Sequence, residues 1–203
     1  MNKIMSGLKL KGRPAEIPNC GREDLPEFFK ELGLKVGVEI GVSEGYFSEK
    51  LCQAGLKVYG VDPWLKYSGF LDSQGNLDER YEVAVKRLKN YDCKLIRKMS
   101  MDAVKDFDDE SLDFVYIDGH HAFKYVAEDL FEWHRKVRPG GVIAGHDYSL
   151  DKTPPYRAYA CHVKYVVNAF TSAFGIRRWY VLGNKTPAEG EIRDRRRSYF
   201  WIK

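Results

Sequence analysis

An α/β fold, a doubly wound sheet of seven strands with six parallel and the last antiparallel, is predicted by three features of the sequence. Short apolar runs alternate with stretches of helical periodicity from about residue 35 to residue 175, the pattern of a parallel sheet covered on both faces. Two of those runs end in clusters of Asp and His, Asp118-Gly119-His120-His121 and His146-Asp147. The last two runs, 176–182 and 198–202, are aromatic-rich and joined by a polar loop short of crossover length, which suggests an antiparallel pair at the end of the sheet.

In chain order, residues 1–21 read as an extended arm rich in Gly, Pro and Lys. A short helix follows, its start marked by Arg22–Pro26, its apolar positions Phe28, Phe29 and Leu32, and its end Gly33. KVGVEIG (35–41) is a strand entering a glycine turn, and Tyr46, Phe47, Leu51 and Cys52 continue as a helix. Strand 57–62, a loop with Pro63 and Gly69, a helix over 77–90 and strand 93–98 repeat the rhythm. A short helix through Ala103, Val104 and Phe107 leads to strand 112–118. The helix over 122–137 carries Val126, Leu130, Trp133 and Val137 on one face. Pro139-Gly140-Gly141 reads as a stop and turn before strand 142–146. A last helix, through Val163, Val166, Val167, Phe170 and Phe174, ends at Gly175.

The 203 residues, 44% hydrophobic, suffice for one domain with one core. A net charge of +4 is too weak a field to point to nucleic acid. Cys20, Cys52, Cys93 and Cys161 are scattered, with neither a disulfide framework nor zinc-site spacing. No run is long enough to span a membrane, and the start MNKIMSGLKLKGRP lacks a signal-peptide core. The expectation is a cytoplasmic protein.

In open α/β sheets ligands bind beyond the carboxyl ends of the strands, so residues at those tips are the candidates for chemistry. At the first tip, Glu39-Ile40-Gly41-Val42-Ser43-Glu44-Gly45 has glycines that permit a tight turn and close approach of a ligand to the main chain. It is neither a dinucleotide G-x-G-x-x-G nor a lysine-bearing phosphate loop, which argues against a nicotinamide oxidoreductase. Asp62 ends the second strand, where an acid can accept from both hydroxyls of a ribose or cap the turn before Pro63. Together the two acids suggest a nucleoside ligand.

On these residues the chain, from about Val36 onward, resembles the class I S-adenosylmethionine-dependent methyltransferases, whose Rossmann-like sheet has an acid-x-Gly-x-x-x-Gly turn and a ribose-binding acid after the second strand. The resemblance implies S-adenosylmethionine as cofactor, with Gly41 and Gly45 along the methionine moiety, Glu39 near it, Asp62 on the ribose and Trp64 packed nearby. Ser100 and Met101 would border the adenine, although Ser100 serves equally as a helix N-cap. Asp118 completes the implied cofactor set.

Neighbouring strand tips lie about 4.8 Å apart, so Asp118, His121, His146 and Asp147 can converge on one ligand or ion. Asp and His together can hold a divalent cation, and an imidazole suits the role of a base near neutral pH. The same residues could also merely cap turns. Within the larger family the arrangement looks most like the catechol-type and macrocin-type O-methyltransferases acting on small molecules or sugars. That likeness implies Asp118 as first metal ligand, His121 as base, and His146 with Asp147 as the adjacent pair completing the shell. The relatives mostly carry acid-acid or Asp-Asn at this pair. His146 therefore weakens the case for Mg and strengthens that for Mn, Fe or Zn, or for no metal at all. His120 is a substrate contact or a helix-start residue bonded to backbone.

The expected activity is methyl transfer to a hydroxyl of a small molecule or glycan, without a nucleic-acid partner and compatible with a homodimer. The alternative is an RNA or protein N-methyltransferase using the basic C-terminal run Arg193, Arg195, Arg196 and Arg197, which is otherwise a solvated or edge-protecting loop. Thr153-Pro154-Pro155-Tyr156 is read as a rigid loop turn. Tyr67, Phe70, Tyr148, Tyr156 and Tyr159 would stack on an acceptor or pack a lid.

Overall fold

A computed structural model of the chain describes residues 2–66, 75–149, 161–192 and 196–203. Among the described residues eight strands form one sheet: β1 (Ala15–Ile17), β2 (Val36–Ile40), β3 (Lys57–Val61), β4 (Cys93–Ile96), β5 (Leu112–Ile117), β6 (Val137–Gly145), β7 (Tyr180–Leu182) and β8 (Tyr199–Ile202). Their order is β1-β7-β8-β6-β5-β2-β3-β4. Only β8 is antiparallel to its neighbours, β6 and β7. The doubly wound sheet with its last strand inserted antiparallel is therefore as predicted, with one further parallel strand at its edge.

That extra strand corrects the reading of residues 1–21 as an extended arm. They contain the helix α1 (Lys3–Gly7) as well as β1, which pairs with β7 through Ala15–Tyr180 and Ile17–Leu182. Three residues are too few to display strand alternation, and the partner lies far along the chain. β1 exists because of that pairing and because Ala15 and Ile17 are buried. Ile17 packs so tightly on α1 that a Cβ on Gly7 would lie 2.5 Å from its Cγ2.

The remaining helices are α2 (Leu25–Glu31), α3 (Tyr46–Gln53), α4 (Leu77–Leu88), α5 (Ser100–Ala103), α6 (Phe123–Lys136) and α7 (Val163–Ala173). Their ends follow local chemistry. Asn76 caps α4, its side chain accepting from Asp78 N–H at 3.1 Å, with acids in the first turn and Lys86 and Arg87 in the last. α7 stops at Gly175, whose φ of +64° suits glycine, and Ile176 N–H closes back on Thr171. This use of Ile176 in the helix exit shortens β7, predicted from residue 176, to Tyr180–Leu182.

Alternation along the central strands sorts the core into two faces. Val38, Val115, Ile117, Ile143, Tyr199 and Trp201 pack with Trp133 of α6 and Phe170 of α7. Phe114, Tyr116, Val142, Ala144 and Phe200 pack with Phe28 and Phe29 of α2 and Phe47 of α3. Pro139-Gly140-Gly141, predicted as a turn before the strand, is instead a bulge inside β6. Val137 pairs with Leu112, and pairing resumes at Val142–Phe114. The displaced backbone is tied to the last residue by Gly140 N–H to Lys203 O and Lys203 N–H to Gly141 O, both 2.8 Å. Among the described residues all four cysteines are free, and no helix is long and apolar enough to cross a membrane.

One buried acid sits outside the strand tips. Asp129 of α6 is 4% exposed and accepts the hydroxyl proton of Ser100, which in turn accepts Trp133 Nε1–H at 2.8 Å. Burial, only partly opposed by that hydrogen bond, pushes its carboxyl up to about 7. The folded chain keeps this proton where the unfolded chain, with a carboxyl near 3.9, has lost it. Stability should therefore fall as pH rises from about 4 to about 7. Asp129→Asn retains an acceptor for Ser100 and cannot ionise. In urea denaturation it should gain about 2–4 kcal/mol on the wild type between pH 4 and pH 8, and parallel pH profiles would contradict the assignment.

Candidate active site

Strand register levels the tips. Ile40 is paired with Val61 on one side and Ile117 on the other, and Ile117 with Gly145. The next residues, Gly41, Asp62, Asp118 and His146, thus stand in one row along the carboxyl edge. Gly41 N–H bonds Val61 O at 2.9 Å, Asp118 N–H bonds Ile40 O at 2.8 Å, and His146 N–H bonds Ile117 O at 3.0 Å. At Gly41, with φ of +89°, a Cβ would lie 2.2 Å from the Asp118 carbonyl oxygen. Glycine is required there by the approach of β5's tip to β2's tip. Gly45, at φ of +80°, precedes α3, and a Cβ there would crowd Leu88 at 2.9 Å.

Asp62 ties the two glycine-flanked turns together. Its Oδ2 accepts Ser43 N–H at 3.0 Å and its Oδ1 accepts Trp64 N–H at 2.8 Å. Burial, against these bonds, leaves its carboxyl above the usual range. Trp64 is 2% exposed, donates Nε1–H to Ser43 O at 2.8 Å and meets Tyr81 edge-on, so it is a packing residue beneath the turn. Ser100 is bonded to Asp129 as described and is not the N-cap of α5, a place taken by Met99. Met101 packs against the core on the α6 side. Glu39 is 2% exposed and accepts the Ser48 hydroxyl proton. Burial pushes its carboxyl up to about 8, reduced by Ser48 and raised further by Asp118.

The four residues predicted to converge do so. His121 Nε2 lies 3.1 Å from Asp147 Oδ2 and 3.6 Å from Asp118 Oδ1. His146 Nδ1 lies 3.3 Å from Asp147 Oδ2 and 3.6 Å from Asp118 Oδ1. Donor atoms of Asp118, His146 and Asp147 all fall within 4.8 Å of one another, as do those of His121, Asp147 and Cys161. Burial disfavours the Asp118 charge, yet the two histidines overcome it and hold its carboxyl at about 2. Burial likewise opposes protonation of His146, but Asp118 and Asp147 raise it to about 9. His121 is raised for the same reasons. His121 Nε2 is buried between the two acids and pairs with them by charge.

Sequence reasoning missed two members. Arg22, in the 3₁₀ turn Arg22–Asp24 before α2, donates from Nη1 to Asp118 Oδ2 at 3.0 Å, with its guanidinium over the Phe47 ring. Nothing local marks an arginine 96 positions away as a partner of Asp118. Cys161 donates to Asp147 O at 3.4 Å, and its neighbour His162 accepts Phe123 N–H through Nδ1 at 3.0 Å, fixing the loop that carries His121. His120 takes the backbone role, accepting Ala122 N–H at 3.0 Å, and its ring lies 4.3 Å from that of Tyr125. Tyr148 is buried and donates to Asn168, so it is packing and not an exposed stacking surface. Arg196 reaches Asp147 at 3.5 Å, while buried Arg197 binds Glu16 at 2.6 Å and anchors the β1 edge. Tyr67, Phe70, Thr153–Tyr156, Tyr159, Arg193 and Arg195 lie outside the described residues.

Comparison with known proteins bears on the family and the fold. The family described as "Methyltransferase domain" matches residues 34–148. The uncharacterized protein y4gI of Sinorhizobium fredii is 28% identical over 120 residues, covering 54% of this chain and 13% of that protein, so the chain spans only a small part of the relative's length. Among solved structures, the O-methyltransferase from Bacillus cereus in complex with SAH has a TM-score of 0.61 at 16% identity, covering 90% of this chain and 80% of that one. The O-methyltransferase TomG from Streptomyces achromogenes, in complex with SAM, gives 0.63 at 16% identity over 89% and 78%. An rRNA methylase from Streptococcus thermophilus gives 0.59 at 14% identity over 88% and 93%. At these identities the shared property is the fold.

Two substitutions test how the edge is built. Gly41→Ala should lower unfolding stability by about 2–4 kcal/mol through the Asp118 clash and positive φ; a loss below about 0.5 kcal/mol would show that the tips can separate. Arg22→Ala leaves Asp118 short of one counter-charge and should cost about 1–3 kcal/mol in the same denaturation assay. No loss would mean the histidines alone satisfy Asp118.

Proposed function

Because the chain belongs to the methyltransferase-domain family, we propose that it transfers the methyl group of S-adenosylmethionine to a hydroxyl of a small molecule or glycan, with His121 as general base. The observation that carries this reading is the convergence of His121, Asp118, His146 and Asp147 on one point beside the Gly41 turn.

The residues around β2 and β3 fit the cofactor. Each Asp62 oxygen accepts one backbone N–H, which leaves acceptor capacity for two ribose hydroxyls. Glu39, buried beside the turn with its carboxyl pushed up to about 8, would ionise against an ammonium placed next to it. S-adenosylmethionine, when bound, supplies an electrophilic methyl on a sulfonium.

A divalent cation would also fit between Asp118, His146 and Asp147, taking the place of the proton that the two acids hold on His146. The donor set is two carboxylates and an imidazole within 4.8 Å, and the buried His121 Nε2 lies at its border, 3.1 Å from Asp147 Oδ2. A mixed nitrogen and oxygen set suits Mn, Fe or Zn better than Mg. A cation there supplies Lewis acidity that lowers the pKa of an acceptor hydroxyl. The chain's own part is to align that hydroxyl, exclude water, and take its proton at His121 Nε2, which would be free to accept it once a cation on Asp118 and Asp147 offset the two charges that raise its pKa.

His121→Ala should leave S-adenosylmethionine affinity within about threefold and lower kcat by about 10²–10⁴, measured with a responsive phenol or sugar acceptor found by screening. Unchanged kcat would remove the base assignment. Activity should fall on chelation and return with Mn. Chelator-insensitive activity together with salt-sensitive RNA binding would favour the RNA acceptor instead.

A further inference from the structure

At the opposite edge and the opposite end of the sheet, the chain entering β1 and the chain entering β7 enclose a cavity of about 300 Å³, lined by Leu10, Lys11, Gly12, Arg13 and Ala15 from one side and by Arg177, Arg178, Trp179 and Tyr180 from the other. We propose that this cavity is a second ligand site, for a small phosphate-bearing anion, independent of the methyl-transfer reading.

Its charge is one-sided. Lys11, Arg13, Arg177 and Arg178 line it, and among the described residues no Asp or Glu does. None of the four forms an ion pair or hydrogen bond with a carboxylate among the described residues. Basic side chains elsewhere behave differently: Arg135 and Lys136 share Asp109, and Arg138 holds Asp113. All four side chains are exposed, so solvent screens their mutual repulsion, and an anion in their midst would gain from all four charges. Three of the four are arginines, whose planar forks match phosphate oxygens in pairs.

The backbone that carries the cations is held in place. Ala15 N–H bonds Trp179 O at 3.0 Å and Ala15 pairs with Tyr180, so the two basic segments cannot separate without undoing the sheet edge. Tyr180 Oη donates to Leu8 O at 2.7 Å, pinning the preceding stretch. Gly12, at φ of +153° with a Cβ position 2.6 Å from Pro14 O, bends the chain between Lys11 and Arg13, both of which line the cavity. The size of the cavity suits a mono- or diphosphate group. A polynucleotide is disfavoured because the aromatic residues here, Trp179 and Tyr180, are 4% and 5% exposed and present no stacking face.

The test is calorimetric titration of the full chain with inorganic diphosphate and with inorganic phosphate. Saturable binding at one site with Kd below about 1 mM, lost by at least about tenfold in Arg177→Glu/Arg178→Glu and again in Lys11→Ala/Arg13→Ala, is the expected result. Lys86→Glu/Lys89→Glu, the same charge change as the arginine pair at exposed positions in the last turn of α4 and just beyond it, should leave it unaltered. Absence of saturation to about 10 mM, or equal weakening by the α4 control, overturns the site. Tight binding of an RNA oligonucleotide through the same residues, not displaced by diphosphate, also overturns it in favour of a polyanion surface. The S-adenosylmethionine affinity of the β1–β7 variants should equal that of the wild type, which separates this outcome from any failure of the catalytic reading.

Discussion

The approach of two strand tips at Gly41 is the constraint on which the rest of the molecule depends. With β2, β3, β5 and β6 in register and the Asp118 carbonyl 2.2 Å from where a Gly41 Cβ would stand, the carboxyl edge has no room for a side chain between the tips. That closeness sets Asp118 beside the turn that begins α3. It also brings His146, one strand over, within reach of Asp118. Remove the glycine, and the histidines and acids separate.

Electrostatics then hold what the backbone assembles. Buried carboxylates persist only when compensated. Asp118 has Arg22, His121 and His146 for this purpose, and Asp147 has the same two histidines and Arg196. Backbone strain gathers at the same rim: Ser43, Trp64 and Asp147 adopt φ of +52°, +44° and +59° without being glycine. Such conformations persist where surrounding bonds over-determine them, as the Asp62 bonds do for Ser43 and Trp64. A rim fixed in this way is suited to align reactants, which is what a methyl transfer asks of a protein.

Much of this was legible in the sequence because it is local. Apolar runs of strand length gave the seven strands their positions, and Asp118, His121, His146 and Asp147 follow their strands directly. Features that rest on distant partners were not legible. β1 is three residues stabilised by β7, Arg22 reaches Asp118 across 96 positions, and Cys161 arrives with α7. Pro139-Gly140-Gly141 misled because a bulge and a turn share the same residues; only the pairing of Val137 with Leu112 and the bonds to Lys203 distinguish them. Asp62, Trp64 and Ser100 were read toward a ligand, and the structure gives each a bonded role in the scaffold. For Asp62 that role leaves a ribose contact open.

The central claim, that the tips of β5 and β6 form one ligand-binding centre, is tested most directly by nuclear magnetic resonance of ¹⁵N-histidine-labelled protein titrated with Mn²⁺. The account predicts that the ring signals of His121 and His146 broaden together at one equivalent of metal while that of His134, on the far part of α6, stays sharp. Broadening of one without the other, or of neither, would contradict it.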